Sequence, residues 1–541
     1  MAYFNNLDYI IVGAGSAGCV LANRLTENPN CNVLLVEAGA AKQPINVKIP
    51  AAYSKLHFSD QNWNFFTAPQ KKVNNRRMYQ PRGKLMGGSS AVNCMAYIRG
   101  NAEDYNDWLK WGNKGWGYQD ILPYFKKSEQ NRNIENKFHG ISGPLSVSYS
   151  RYETPLTKAF IEANDEVGIA YNPDFNGKNQ DGAGKFQFTI KDGERHSTYE
   201  SFVKPFLNRS NLHIASNVFV SGLIWDKDKV TGIEVCINGN NQRKEIIKAP
   251  EVILCTGAFQ SPQILMLAGI GDKDYLKEKG IVARLHLKGV GKNLSDHLFV
   301  NMNVLCNQRI TYNNVERFPW VIPNLFKYLM SKSGPLAASP LAGCSFLRTL
   351  PDLDRPDIQF HFAPVAGTDI HDYPALPKEE GFTILPTLLK PKSRGFVGLN
   401  SLNPSDSPLI DPQYLSDEGG EDLKTLLRGL KWAEALLLSN SFEPFRKNNQ
   451  LNFPGIFKND EERVEHILKT CETVYHPCGT CKMGIDEEAV VSPLTMRVIG
   501  IKGLRVVDAS VIPEVISGNT NAPVIAVAEK AADLIKYGDV D

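Results

Sequence analysis

The chain of 541 residues is 42% hydrophobic, 22% charged and 10% aromatic, near the averages of soluble globular proteins, which excludes a disordered or collagen-like chain. Its 60 basic residues against 58 acidic ones leave a net charge of +2, too little to attract a polyanion, so nucleic acid is not among the expected partners. No apolar run approaches the roughly 18 residues a membrane span needs, the start Met1–Asp8 lacks a signal-peptide pattern, and ten scattered cysteines are too dilute for a disulfide scaffold. The chain reads as cytoplasmic, with its cysteines reduced.

Tyr9-Ile10-Ile11-Val12 is a continuous apolar run, the pattern of a strand buried on both faces of a parallel sheet. Gly13-Ala14-Gly15-Ser16-Ala17-Gly18 follows, then a helical pattern through Val20, Leu21, Asn23, Arg24 and Leu25. A second run, Asn32–Val36, ends at Glu37-Ala38-Gly39. In this arrangement Gly13 permits the tight turn, Gly15 lets the backbone approach a pyrophosphate, and Gly18 lets helix and strand pack closely. The helix N-terminus offers N–H groups to phosphates, and Glu37 stands where a carboxylate accepts ribose hydroxyls. The pattern predicts dinucleotide binding. Glu37 would repel a 2′-phosphate, which disfavours NADP; NAD and FAD are not separated by these residues.

Pro81-Arg82-Gly83-Lys84-Leu85-Met86-Gly87-Gly88-Ser89-Ser90-Ala91-Val92-Asn93 sets small residues in a row, where backbone can come close to a flat ring or a phosphate. It resembles the first signature of the glucose-methanol-choline (GMC) oxidoreductases, which are FAD-dependent. Gly257–Leu265 through Gly269-Ile270-Gly271 is similar to the second signature, with Ala268 where serine is usual. Val290–His297 is similar to the segment after it, with Ser295 where glutamine is frequent. Tyr475–Gly484, Val507–Pro513 and Gly518-Asn519-Thr520-Asn521-Ala522-Pro523 complete the order. Cys478 and Cys481 form a CxxC with no second pair to complete a zinc site, so they read as structural and no metal is expected.

The resemblance implies FAD contacts at Gly13, Gly15, Ser16 and Gly18, at Glu37 and Ala38, and at Arg82, Gly88, Ser89, Asn93 and Met95. It implies further contacts at Val218, Asp508, Ala509, Asn519 and Pro523. Some relatives carry at the position of Val92 a histidine bonded covalently to the flavin; valine has no nucleophile, so the FAD is expected to be non-covalent. His476 matches the family's base beside flavin N5, and histidine has a suitable pKa for taking the hydroxyl proton of an alcohol as its hydride leaves. Asn521 matches the second active-site position, whose amide can donate to the substrate oxygen. Asn519 is the better candidate to cap the following helix, expected over Val524–Lys536.

The expected fold class is α/β. A discontinuous Rossmann-like FAD domain (1–155, 196–305 and 470–541) joins an α+β substrate domain with an antiparallel sheet (156–195 and 306–469). Strand runs at Val218–Val220, Ile233–Val235 and Val252–Cys255 are assigned to the first βαβ unit, and Gln43–Tyr79 resembles a lid over the FAD. The substrate domain should hold one strong helix near Asp422–Leu438. Choline-specific members carry a glutamate in this domain, whereas Ala337–Phe346 contains no acid. With Leu341, Phe346, Phe360 and Phe362 nearby, the expected substrate is a neutral primary alcohol. Electrons would pass to a quinone or to O₂. The alternatives are an O₂-using oxidase, a choline dehydrogenase, a hydroxynitrile lyase and a photodecarboxylase. Trp320–Met330 is read as core or cavity wall in preference to a membrane-contact face, with peripheral association at the inner membrane as the alternative location.

Overall fold

The computed structural model describes residues 6–237, 240–367, 378–447 and 457–538. The apolar run Tyr9–Val12 is the central strand of a five-stranded parallel sheet, in the order Leu212–Ser216, Val33–Glu37, Tyr9–Val12, Glu251–Leu254, Leu504–Val506. Numbered by position along the chain this is 3-2-1-4-5, the order of a Rossmann sheet. It is assembled from three distant stretches of sequence. The order reverses between Tyr9–Val12 and Glu251–Leu254, and a crevice therefore opens beyond the carboxyl ends of these two strands. The helices Ser16–Leu25 and Asn521–Tyr537 pack together there, with Arg24 Nε 2.7 Å from the buried Glu529.

Two of the three strand runs assigned to this sheet lie elsewhere. Val218–Asp226 and Lys229–Ile237 form an antiparallel meander with Asn240–Lys248. Only two residues, Lys227 and Asp228, separate the first two strands, which closes a hairpin; a parallel pairing needs a crossover of a dozen or more residues. Leu212–Ser216 takes the edge of the parallel sheet instead.

A second, antiparallel sheet runs in the order Glu472–Thr473, Leu298–Phe299, Gly381–Leu388, Ile358–Ala363, Gly343–Leu347, Gly182–Lys185, and Met302–Leu305 also pairs with Gly381–Leu388. It takes strands from 298–305 and 472–473, on both sides of 306–469. The helix Glu421–Leu438 covers one face, burying Leu426, Leu430, Ala433 and Leu437 in one core with Ile358, Phe360 and Phe362. The opposite face of the sheet looks toward the Rossmann crevice.

Candidate active site

One cavity of about 490 Å³ runs between the two sheets. At its first end lies the glycine turn. Gly13 has φ +98°, and a Cβ on Gly18 would come within 1.9 Å of the Gly13 carbonyl oxygen, so neither position admits a side chain. A Cβ on Gly88 would sit 2.6 Å from Gly15 Cα, which brings the small-residue stretch directly against the turn. Glu37 closes this end: its carboxylate accepts the Ala14 and Gly39 N–H groups, each at 2.9 Å. Burial pushes its pKa up to about 7, against the lowering effect of those N–H groups.

Ser16, Ala38, Arg82, Ser89, Asn93 and Met95 all line the same cavity, as do Val218, Asp508 and Ala509. Gly18 and Pro523 do not; Gly18 packs behind the turn, and Pro523 is buried in the first turn of the Asn521–Tyr537 helix. Asp508 accepts the Gly257 and Ser510 N–H groups at 2.8 Å each and the Ser261 hydroxyl at 2.6 Å, tying the Val507–Pro513 segment to the second signature. Asn93 Oδ1 accepts from Met95 N and from Arg195, each at 3.0 Å. Arg82 donates to the Tyr475 carbonyl at 2.9 Å while its Nε has no hydrogen-bond partner among the described residues; burial lowers its pKa to about 10. A glycine cradle, an open helix N-terminus and an orphaned guanidinium N–H as donors, with a buried carboxylate as acceptor, are the groups that suit an adenine dinucleotide.

At the other end stands His476. Its backbone N–H donates to Asp296 at 2.8 Å, and Asp296 also accepts Thr473 and Tyr414 hydroxyls at 2.6 Å each. Its Nδ1 lies 3.0 Å from His297 Nδ1, and His297 Nε2 lies 3.0 Å from the Leu389 carbonyl. This chain of contacts fixes both tautomers. The carbonyl can only accept, so His297 Nε2 carries the hydrogen. Burial holds His297 neutral, its pKa lowered to about 3, so its Nδ1 is bare and accepts from His476 Nδ1–H. Burial, with His297, His361 and Arg82 nearby, keeps the His476 pKa well below the ordinary 6.5. The neutral His476 ring therefore holds its lone pair on Nε2, where Asn519 Nδ2 approaches to 3.3 Å.

Asn519, and not Asn521, is the amide at His476. The helix begins at Asn521, with Thr520 at its cap, three residues earlier than the expected Val524. Asn521 is thereby turned to Ser16, whose hydroxyl donates to its Oδ1 at 2.7 Å, and Asn519 serves as no cap. Gln359 Nε2 reaches Asn519 Oδ1 at 3.5 Å.

The cavity wall in the second sheet also differs from expectation. Alternation along Ile358–Ala363 sends Ile358, Phe360 and Phe362 into the helix-covered core, while His361 and Ala363 face the cavity. Phe346 is likewise in a core cluster, and of the four apolar residues singled out only Leu341 lines the cavity. Ala338, Pro340, Leu385 and Phe299 make the rest of an apolar wall. His361 donates or accepts at Thr387 Oγ1, 3.0 Å from its Nδ1, and burial lowers its pKa to about 4. Ala337–Phe346 holds no acid, yet Glu316 lines the cavity in addition to Glu37 and Asp508, and it is paired with Lys55 Nζ at 2.9 Å.

His297, His361 and Glu316 were not among the expected site residues. His297 ends a quoted motif and could have been marked from it; His361 shows only in the parity of its strand. Val92 lines the cavity within an apolar cluster beside Val47 and Leu85. Cys478 and Cys481 are buried and unbridged, and the described residues contain no group of His, Cys, Asp and Glu suited to a metal ion.

Comparison with known proteins decides the family. Residues 7–299 match the N-terminal GMC oxidoreductase family model, and residues 391–528 match the C-terminal one. The chain belongs to the GMC oxidoreductases. Within the family it is 41% identical to an alcohol dehydrogenase [acceptor] of Pseudomonas putida, over 98% of this chain and 95% of that protein. It is 39% identical to the mitochondrial choline dehydrogenase of Mus musculus, over 98% and 89%. Among solved structures it matches pyridoxine 4-oxidase from Mesorbium loti with a TM-score of 0.88 at 29% identity, over 98% of this chain and 99% of that one. It matches a formate oxidase variant of Aspergillus oryzae with a TM-score of 0.91 at 28% identity, over 98% of each chain. GMC oxidoreductases bind FAD, and the cavity's nucleotide end fits that cofactor.

Proposed function

We propose that this GMC oxidoreductase oxidises a neutral primary alcohol to the aldehyde, with His476 as base and a quinone or O₂ as the final electron acceptor. Bound FAD supplies the hydride acceptor. The observation that carries the reading is the placement of the His476 ring at the cavity, with Nδ1 3.0 Å from His297 Nδ1 and Nε2 3.3 Å from Asn519 Nδ2, an arrangement that leaves the lone pair on Nε2. An alcohol hydroxyl is too weak an acid to lose its proton unaided at neutral pH, and Nε2 is placed to take it. The Asn519 amide N–H, beside that nitrogen, would hold the alcohol oxygen and bind it more strongly as negative charge develops. His361 would confine the same oxygen from the sheet side, and the wall of Leu341, Ala338 and Leu385 would exclude water. Asn521 would position Ser16 at the helix N-terminus.

Neutrality of the substrate follows from charge: Glu316 is already matched by Lys55, so a cationic alcohol finds no unpaired carboxylate in the wall. Choline is the second reading, favoured by the choline dehydrogenases among the relatives and by Glu316 itself. Val92 supports a non-covalent FAD, which acid precipitation should leave in the yellow supernatant. The deciding experiment is anaerobic mixing with a panel of neutral alcohols and with choline. Bleaching of the flavin band by neutral alcohols is the expected result. Bleaching by choline alone would select the second reading, and cyanide release without bleaching would indicate a lyase.

A further inference from the structure

An asparagine amide can sit either way round, its oxygen and nitrogen exchanged by a half-turn, and the groups facing it choose between the two. At Asn519 the bare His476 Nε2, 3.3 Å from Nδ2, asks for a donor, and Gln359 Nε2, 3.5 Å from Oδ1, asks for an acceptor. Both favour the observed orientation, with the N–H groups turned to His476. Among the described residues Gln359 is the one donor to that oxygen.

The two constraints do not last equally. Once His476 has taken the alcohol's proton, Nε2 carries a hydrogen and becomes a donor, for which Oδ1 is the better neighbour. At that moment His476 favours the reversed amide, and Gln359 opposes it. The timing matters because the substrate oxygen is then gaining negative charge and depends most on the amide N–H. Gln359 is fully buried in the strand Ile358–Ala363, on the same side as His361, and does not itself line the cavity. Its Nε2 is also 3.3 Å from Cys344 Sγ on the neighbouring strand Gly343–Leu347, while its Oε1 has no hydrogen-bond partner among the described residues. A buried acceptor left unpaired is costly. A methionine would fill the same space without that cost, which leaves the N–H donor as what the amide adds here.

We infer that Gln359 is a positioning residue for the oxidation proposed above, holding the Asn519 amide with its N–H groups toward the reacting oxygen while His476 becomes protonated. Set behind the cavity wall, it acts only through Asn519. The inference rests on His476 acting as the base.

The test is anaerobic flavin reduction by a neutral primary alcohol in a double-mutant cycle of Gln359→Met and Asn519→Ala. Gln359→Met keeps the length of the side chain and removes the unpaired Oε1 together with the donor, so the variant is expected to hold flavin; Gln359→Leu, which also lacks the donor, supplies the same cycle if it does not. At saturating alcohol Gln359→Met should reduce flavin about three- to tenfold more slowly, because the lost contact acts as charge develops. The half-saturating alcohol concentration should change little. In the Asn519→Ala background the same substitution should have no further effect. The acid limb of the pH profile should also move to higher pH in Gln359→Met, since the released Oδ1 can turn to the protonated Nε2 and stabilise it. The other groups facing His476, which are His297, His361, Arg82 and Asp296, stay as they are. Equal slowing in both backgrounds would show that Gln359 only fills space, and a Gln359→Met variant as fast as wild type would overturn the proposal outright. The two readings fail on different measurements: a wild-type rate in His476→Ala strikes the base, whereas a slow His476→Ala beside a fast Gln359→Met strikes the positioning alone.

Discussion

The two ends of the cavity are built in different ways. The nucleotide end is made of backbone: Gly13, Gly18 and Gly88 leave no space for a Cβ, and the groups they present are N–H donors and a helix terminus. The His476 end is made of side chains drawn from four separate segments, His297, His361, His476 and Asn519. At the three glycine positions the first end tolerates one residue type. At the second end each group is set by its neighbours through a chain of hydrogen bonds.

That contrast breaks if glycine at the first end proves replaceable. Gly18→Ala would drive a methyl into the Gly13 carbonyl, a clash between backbone atoms that no rotamer relieves. The variant is expected to purify without flavin and to melt at lower temperature; a yellow variant with an unchanged flavin-to-protein ratio would contradict the steric account.

At the second end the effects should be graded. His297→Leu removes the acceptor that holds His476 Nδ1–H, and a lost buried hydrogen bond of about 1–3 kcal/mol corresponds to roughly ten- to hundredfold in the rate of flavin reduction. His297→Gln can both accept from His476 and donate to Leu389, so it should recover much of that loss. Equal rates for the two variants would show that His297 only fills space.

Buried histidines also set the response to acid. His57, His196 and His361 have pKa values lowered to about 4 and His297 to about 3, all by burial. Below pH 6.5 the unfolded chain binds protons that the native state refuses, so stability is full above that pH and is lost as pH falls toward 4. Glu37, raised to about 7, and Asp296 and Asp508, also raised by burial, act in the opposite sense, while His466, lowered by burial, adds to the loss. The melting temperature should fall steadily between pH 6.5 and 4; a flat profile would contradict the burial of these rings.

The smallest effect expected is on selectivity. Lys55→Ala leaves Glu316 without its partner and should improve flavin reduction by choline relative to a neutral alcohol a few-fold, since partly exposed pairs contribute about 1 kcal/mol or less. An unchanged ratio would remove Glu316 from the account of specificity.

Legibility in the sequence follows the same division. The turn at Gly13–Gly18 was readable because its steric demand is local: few residues but glycine fit, whatever the rest of the chain does. The five-strand order was partly readable, since apolar runs mark buried strands, but the hairpin at Lys227-Asp228 redirected two of them. At the substrate end a shift of one or two positions changes every role. Phe360 and Phe362 differ from His361 only by strand parity, and the start of a helix at Asn521 hands Asn519 to His476 and Asn521 to Ser16. Trp320–Met330, expected as core or cavity wall, has the periodicity of a core helix, yet in Val321–Ser331 only Tyr328 is buried and Ile322, Leu325, Phe326, Leu329 and Met330 are exposed; periodicity does not say which side carries the core.

The central claim is that the bare Nε2 of His476 receives the alcohol's proton. Anaerobic mixing of wild type and His476→Ala with the same neutral primary alcohol tests it most directly, provided both proteins hold flavin. The account predicts that the variant bleaches about 10²–10⁴-fold more slowly. Bleaching at the wild-type rate would contradict it.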